Sequence, residues 1–413
     1  MSATRHRVAI VGGGTAGAAS ALLLARAGHR VTLYERVPEP GAVGAGILLQ
    51  PTGMHVLKQL GLLDVILEHG ARIERLHGTI PGNSAGGRTV LDMRYRYYDD
   101  NAFGLGLHRG TLFSALWQAL RQTDAAIHCG VEVERLVQTE QRVSLFHGET
   151  MLGEFDGLIV ADGTHSRLRN QLSIPALAKP YPWGALWTVV PDDGTIDGTL
   201  RQWYRNASQM LGVMPTGRAW GQSQRLLSIF WSLHGAALPA WRAQSLAEWK
   251  RTVLELAPIE HLLSYIESPA QLAYASYADV IMPYWHDRRA VCLGDCAHAT
   301  SPQLGQGANL ALIDAWTLAQ CVQQARDLPA ALAQYSRKRK AHLRYYQTAS
   351  RWLTPLFQSH GRLGSGLRDL GLGLACRLPF VRSQMGLTLS GTKTGWLIGR
   401  LPLGENVSDE VKQ

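Results

Sequence analysis

Val8-Ala-Ile-Val-Gly-Gly-Gly-Thr-Ala-Gly17 joins a short apolar run to a glycine turn and the start of an Ala/Leu-rich stretch. Residues 7–11 have the length and apolarity of a buried parallel strand. Gly12, Gly14 and Gly17 form G-x-G-x-x-G: a tight turn, a bare backbone that can approach a pyrophosphate, and close packing of helix on strand. Residues 16–27 then form a helix. Its first turn, with Thr15 and Ala16, offers free N–H groups and a positive dipole end to phosphates. Gly28-His29 stops the helix, residues 30–34 make a second strand, and Glu35 ends it where a carboxylate accepts hydrogen bonds from ribose hydroxyls, followed by Arg36. Strand, turn, helix, strand and acid in register predict an α/β, Rossmann-like dinucleotide-binding unit. The acid disfavours NADP at this site and leaves NAD and FAD open.

Composition sets the frame. The 413 residues suit two intertwined domains. No apolar run is long enough to span a membrane. Arg5 and Arg7 precede an apolar run as in a signal peptide, but glycines break that run and no cleavage site follows, so a cytoplasmic protein is expected. The five cysteines are odd in number and scattered, without structural-zinc spacing. They read as reduced thiols, and no metal is expected. The net charge of +9 includes the run Arg337-Lys-Arg-Lys340. That run reads as a solvated helix face, since no nucleic-acid module accompanies it.

Two distant segments repeat the logic of a strand running into a polar turn. The first is Asp156-Gly-Leu-Ile-Val-Ala-Asp-Gly-Thr-His-Ser-Arg-Leu-Arg169. The second is Val291-Cys-Leu-Gly-Asp-Cys-Ala-His-Ala-Thr-Ser-Pro-Gln-Leu-Gly-Gln-Gly-Ala-Asn309. With these two segments following the first, the chain resembles the class A flavoprotein aromatic hydroxylases, related to para-hydroxybenzoate hydroxylase and the ubiquinone-pathway hydroxylases. Their signatures G-x-G-x-x-G, D-G-x-x-S-x-x-R and G-D-x-x-H-x-x-x-P occur here in the family's order.

The resemblance implies FAD, with Asp295 accepting from a ribityl hydroxyl and Gly294 letting the backbone come close. It also implies that Pro302, Gly305, Gly307, Ala308 and Asn309 line the flavin, with backbone N–H groups at its pyrimidine edge and Pro302 beside the substrate. Asp162 and Arg169 become the pair that organises the pyrophosphate region and the approach of a transient NADPH or NADH. His298 reads as a packed loop residue rather than a base, and Cys296 as small and apolar. Gly104-Leu-Gly-Leu-His-Arg-Gly-Thr-Leu112, entering a helix at residues 112–121, resembles the segment whose arginine, Arg109 here, reaches the FAD. Residues 127–137 look like the strand whose backbone meets the adenine, at Val133. Residues 41–53, including Gly46, resemble the glycine-rich loop along which the flavin moves, although the usual arginine there is replaced by Ala42-Val43.

The resemblance further implies a para-hydroxybenzoate hydroxylase-like arrangement. The FAD-binding domain comprises residues 1–75, 100–177 and 275–350, the inserted β-sheet substrate domain residues 76–99 and 178–274, and a C-terminal helical segment residues 351–405. Alternation predicts strands at 199–204, 209–214 and 226–233, a turn at Pro215-Thr-Gly, and a helix at 245–256. The aromatics Tyr181, Trp183, Trp187, Trp203, Tyr204, Trp220, Phe230 and Trp231 read mostly as sheet core, with some of them lining a flat apolar cavity. The implied reaction uses NAD(P)H and O2 to hydroxylate or epoxidise an aromatic or extended hydrophobic molecule through a flavin C4a-hydroperoxide. Tyr204 and Arg201 are candidates to help ionise a phenolic substrate. A reductase of isoprenoid double bonds and a non-catalytic FAD-binding scaffold remain alternatives. Residues 360–378, with leucines at helical spacing, form a lid or a membrane-surface contact; monomer and homodimer both stay open.

Overall fold

The computed structural model describes residues 5–41, 44–82, 87–358 and 378–402. The leucine-bearing helix expected at 360–378, the Ala42-Val43 step and the tail from Asn406, expected to be disordered, fall wholly or almost wholly outside them.

The predicted strand forms at Arg7–Val11, with four of its five residues buried. Parallel pairing places it between Arg30–Glu35 and Gly157–Val160, and the sheet continues to Ala126–Cys129 on one side and Ala290–Cys292 on the other. A short antiparallel edge, His286–Asp287, completes six strands. The central strands are mostly buried and apolar because helices cover one face of the sheet and the strand Thr150–Phe155, with Phe155 against Tyr34, covers the other. Helix Thr15–Arg26, built largely from alanine and leucine, packs against the long helix Gly307–Gln324 and against Arg109–Arg121. A three-stranded antiparallel meander, Arg135–Gln138, Val143–His147 and Thr150–Phe155, lies beside this core.

A separate seven-stranded sheet runs in the order Ala273–Ile281, Leu177–Pro191, Arg225–His234, Gln209–Arg218, Thr199–Arg205, Arg75–Ile80, Arg88–Arg94. Register fixes its two faces, because directly paired residues point the same way and neighbours alternate. Leu186, Leu211, Val213, Ile229 and Trp231 share a core with Trp249, Val253, Leu262 and Leu263 from the helices that follow the sheet strands. The opposite face carries Trp187, Tyr204, Gly212 and Phe230, and helix Leu328–Phe357 crosses it, ending with Phe357 on the Tyr204 ring at 5.4 Å.

Several local expectations are corrected. Residues 127–137 are two strands, not one, because Gly130 takes φ +75° and breaks the run. The glycine-rich stretch 41–53 is largely ordered secondary structure, strand Gly46–Leu49 followed by helix Pro51–Gln59. The expected turn at Pro215-Thr-Gly is a bulge within a strand that continues to Arg218. The helix expected from Leu112 starts at Arg109, since His108 Nδ1 caps it by accepting from the Gly110 amide at 3.2 Å. Helix Leu246–Leu254 is shorter than expected, with Ser245 and Glu248 forming a capping box.

Candidate active site

The three motifs converge at the C-terminal ends of three adjacent strands, Arg7–Val11, Gly157–Val160 and Ala290–Cys292. Ligands of open parallel sheets bind at that edge. The glycines make the convergence possible. A side chain on Gly12, which has φ +101°, would lie 2.4 Å from the Ala161 carbonyl oxygen of the second motif. One on Gly294 would lie 2.9 Å from Ala16 Cβ in the first. Gly17 brings the helix onto Gly12, where a Cβ would sit 1.8 Å from the carbonyl oxygen. Gly14 is the exception: a Cβ there would meet nothing within 4 Å, so the helix N-terminus it precedes faces open space.

Glu35 ends its strand half-buried, with Oε2 accepting from the Gly13 amide at 2.7 Å and Oε1 from Val37 N at 2.9 Å. Trp117 Nε1 donates to the Gly13 carbonyl at 2.8 Å, pinning the glycine turn from helix Arg109–Arg121. No motif singles out Trp117. Arg36 is exposed beyond Glu35; Thr15 opens the helix and Ala16 is buried behind it. Arg109 is exposed at its helix start and lies against Gly44, where a Cβ would approach Arg109 Cδ to 3.0 Å. Gly46 has its bare side toward the seven-stranded sheet, 2.0 Å from Thr216 Cγ2 for an added Cβ, and its amide donates to Ser228 Oγ at 2.7 Å. Val133 is buried between the two halves of the broken strand.

At the junction of the second and third motifs, Arg169 is buried, and its Nη1 donates to the carbonyls of Thr164 (3.1 Å) and Cys296 (2.9 Å). Arg169 therefore ties the two loops together. Asp162 keeps one buried oxygen, Oδ1, without a hydrogen-bond partner among the described residues. Burial pushes its carboxyl pKa up, against the opposing pull of Ser166, Cys296 and Arg169. Asp295 is exposed in the first turn after Gly294, which adopts φ +60°.

Behind Gly294 lies a buried charge network that sequence reasoning missed. Asp314 Oδ2 accepts from the Gly294 amide at 2.9 Å and pairs with His298 Nε2 at 2.5 Å; Oδ1 accepts from Arg339 Nε at 2.7 Å. Arg339 Nη1 contacts His342 Nδ1, and His342 Nε2 bonds to the Gly391 carbonyl at 2.7 Å. Burial alone would raise the Asp314 pKa, but His298 and Arg339 hold it well below the carboxylate range. Burial, then the Arg339 charge, pushes His342 down to about 3. The ring is thus neutral, accepting on Nδ1 and donating from Nε2. Arg337, Lys338 and Lys340 are exposed as the basic run was expected to be, but Arg339 is an exception: it is fully buried. The available signal was Asp314, a lone acid in the apolar run Leu310-Ala-Leu-Ile-Asp-Ala315.

The Pro302 turn presents Pro302 and Gly307 to the outside, with Gly305 left-handed at φ +60°. Asn309 is buried and holds the turn from behind: Oδ1 accepts from Gln50 N at 2.8 Å, and Nδ2 donates to Leu48 and Gly305 carbonyls, each at 3.1 Å. Ala308 packs partly buried in the helix. Gln50 Nε2 and Gln303 Nε2 are buried donors without acceptors among the described residues. Open glycines at a helix N-terminus, an orphaned carboxylate oxygen at Asp162 and orphaned amide donors around the turn fit an extended dinucleotide whose polar edge would complete these groups.

Tyr204 lies on the sheet face that meets helix Leu328–Phe357, its hydroxyl donating to Gln202 Oε1 at 2.9 Å. Arg201, three positions before it, pairs with Val213, so it belongs to the opposite face and is exposed there. The two candidates are not brought together. Trp203 and Trp231 join Arg201's face, whereas Trp187 and Phe230 join Tyr204's.

Residues 5–349 match the FAD binding domain family. The chain is 30% identical to "Aurachin C monooxygenase/isomerase" of Stigmatella aurantiaca, over 79% of this chain and 83% of that protein. It is 27% identical to "6-hydroxynicotinate 3-monooxygenase" of Pseudomonas fluorescens, over 77% and 83%. Among solved structures, Klebsiella pneumoniae HpxO complexed with FAD and uric acid superposes with a TM-score of 0.78 at 20% identity, over 92% of this chain and 97% of that one, a likeness of fold.

Proposed function

This chain belongs to the FAD binding domain family of FAD-dependent aromatic monooxygenases, and from that premise we propose which of its residues hold the cofactor and what kind of molecule it oxidises. When bound, FAD supplies the hydride acceptor for NAD(P)H and, once reduced, the centre that activates O2. The rest is work for this chain's own groups. The Gly14 turn and the N-terminus of helix Thr15–Arg26 would carry the pyrophosphate, and Glu35 the adenosine ribose. Asp295 would accept from the ribityl chain. Asp162 Oδ1, orphaned and buried, would regain a hydrogen bond from the cofactor or its bound water.

The Pro302–Asn309 segment would offer backbone N–H groups and the start of helix Gly307–Gln324 to the pyrimidine edge, where negative charge gathers on reduction. Tyr204, Trp187 and Phe230 would form an apolar wall that excludes water from the oxygen-transfer region. The observation carrying this assignment is the convergence of the three motifs on one sheet edge, fixed by Gly12, Gly294 and Arg169.

We assign the substrate to hydroxylated aromatic or aza-aromatic rings, as the name of the 6-hydroxynicotinate relative supports. Such rings are rich enough in electrons to accept an electrophilic oxygen. The cytoplasm, which supplies NAD(P)H, is the expected compartment; no described helix is long and apolar enough to cross a membrane. A monomer or homodimer is the expected working form. The test is FAD-loaded protein followed by nucleotide absorbance and an oxygen electrode. Oxidation of NADH or NADPH with matching O2 uptake, accelerated by a hydroxylated aromatic, is the predicted result. Nucleotide oxidation that needs an alkene acceptor and proceeds without O2 would sink the assignment.

A further inference from the structure

Beside the Pro302 turn lies a cluster of polar side chains that none of these roles uses. Strand Ala273–Ile281 forms an edge of the seven-stranded sheet, and Ala275 pairs with Ala185, so Ala275, Tyr277 and Asp279 share the face that carries Trp187, Phe230 and Tyr204. Trp187 Nε1 donating to the Tyr277 hydroxyl at 3.0 Å confirms that placement. Ser301, the residue before Pro302, meets two hydroxyls of the crossing helix, Ser350 Oγ at 2.9 Å and Thr354 Oγ1 at 2.6 Å. The Tyr181 hydroxyl faces the same Ser301 and Thr354 groups and lies within electrostatic reach of Asp279.

Asp279 itself is only 8% exposed, and its Oδ1 has no hydrogen-bond partner among the described residues. The charges facing it are Arg351 and Lys179. An acceptor left buried and unpaired works against folding, so a protein gains from keeping one where a ligand completes it. We propose that Asp279 Oδ1 is a substrate-binding acceptor that selects rings carrying an O–H or ring N–H donor, held between Asp279 and the Tyr181–Ser301–Thr354 hydroxyls beside Pro302. A carboxylate that takes up the donor's hydrogen bond leaves more electron density on the ring carbons, which is where an electrophilic oxygen must land. Burial, which raises the Asp279 pKa, strengthens it as an acceptor. The assignment rests on the aromatic monooxygenase function proposed above and narrows its substrate class.

Two matched probe pairs test it on FAD-loaded protein by perturbation of the flavin spectrum: 6-hydroxynicotinate against 6-methoxynicotinate, and 4-hydroxyquinoline against 4-methoxyquinoline. The hydroxylated member of at least one pair should bind about tenfold or more tightly than its methylated twin, the value of one well-placed charged hydrogen bond. Asp279→Val, which has no acceptor, should erase that preference while leaving the affinity for the methoxy member within about threefold. Asp279→Val should raise the melting temperature of the substrate-free protein, because it removes an unpaired buried acceptor; a structural role for Asp279 would lower it. No preference in either wild-type pair, preference retained in Asp279→Val, or a lowered melting temperature in Asp279→Val overturns the proposal. Failure of NADH and NADPH to drive O2 uptake would count against the monooxygenase function instead, and the two failures are read separately.

Discussion

Asp314 has no exposure to solvent and still carries charge, because Gly294 N, His298 and Arg339 all point at it. Removing one partner of a buried ion pair leaves the others uncompensated, which costs about 3–5 kcal/mol. Asp314→Asn should therefore lower thermal stability by that order and weaken FAD retention, because the Gly294 turn that positions Asp295 loses its anchor. Thermal denaturation of the apoprotein and flavin content after gel filtration measure the two effects. A variant as stable as the parent with full flavin content would show the network to be ornamental. At this scale the sequence was legible where chemistry repeats a short local spacing: Gly12, Gly14, Gly17 and Glu35 stand within one strand–helix–strand unit. Asp314 and Arg339 lie 25 residues apart on two helices, so neither looked like half of a pair, and Arg339 was hidden in a run of basic neighbours.

The C-terminal helix Pro379–Ser390 and the turn after it dock on the Pro302 loop. Gln306 Nε2 donates to the carbonyls of Thr388 (3.3 Å) and Leu389 (3.0 Å), and His342 bonds to Gly391. Gly391 has φ +88°, and a Cβ there would lie 2.2 Å from Thr52 Oγ1, beside Gln306 Oε1 at 3.2 Å. Gly391→Val would both strain the backbone and push this turn away from the Pro302 loop. FAD affinity, read by recovery of flavin fluorescence on dilution, is expected to fall about tenfold or more, the equivalent of about 1.4 kcal/mol. Unchanged affinity would separate the C-terminal turn from the cofactor site.

Glycine and proline alone did not decide element boundaries. Gly28 ended its helix as expected, whereas Gly130 split an alternating stretch that read as continuous, and Pro215 sat inside a strand because a bulge absorbed it. That the Tyr204 and Arg201 candidates lie on opposite faces was hidden for a related reason. Three residues along a strand reverse the face, and only the register with Val213 and Met210 shows which face each joins.

For the molecule as a whole, the buried histidines set the acid limit. Burial lowers the pKa of His342, with His29, His55 and His108 shifted in the same direction by the same first cause. Each is neutral in the folded protein where its unfolded counterpart already binds a proton. The unfolded state therefore takes up more protons below the ordinary value of 6.5, and stability falls as pH drops through that region. For His342 the window runs from 6.5 down to about 3. A fully shifted histidine contributes a slope of up to about 1.4 kcal/mol per pH unit, and the partly exposed ones less. Urea unfolding at about pH 5 should give a lower midpoint than at about pH 7; equal midpoints would contradict neutral buried histidines. The overall architecture was legible from three motifs because each marks the end of a parallel strand. The seven-stranded sheet was legible only as alternation, without a sign of how its strands pair or which residues share a face.

The central claim is that this chain uses NAD(P)H and O2 to place one oxygen atom on an aromatic ring. Mass spectrometry of the product formed under isotopically labelled O2, with FAD-loaded protein, NADH or NADPH and a hydroxylated aromatic that stimulates oxygen uptake, tests it most directly. One labelled oxygen atom in the product is the predicted result. A product carrying oxygen only from water, or a reduced product formed without O2, would contradict it.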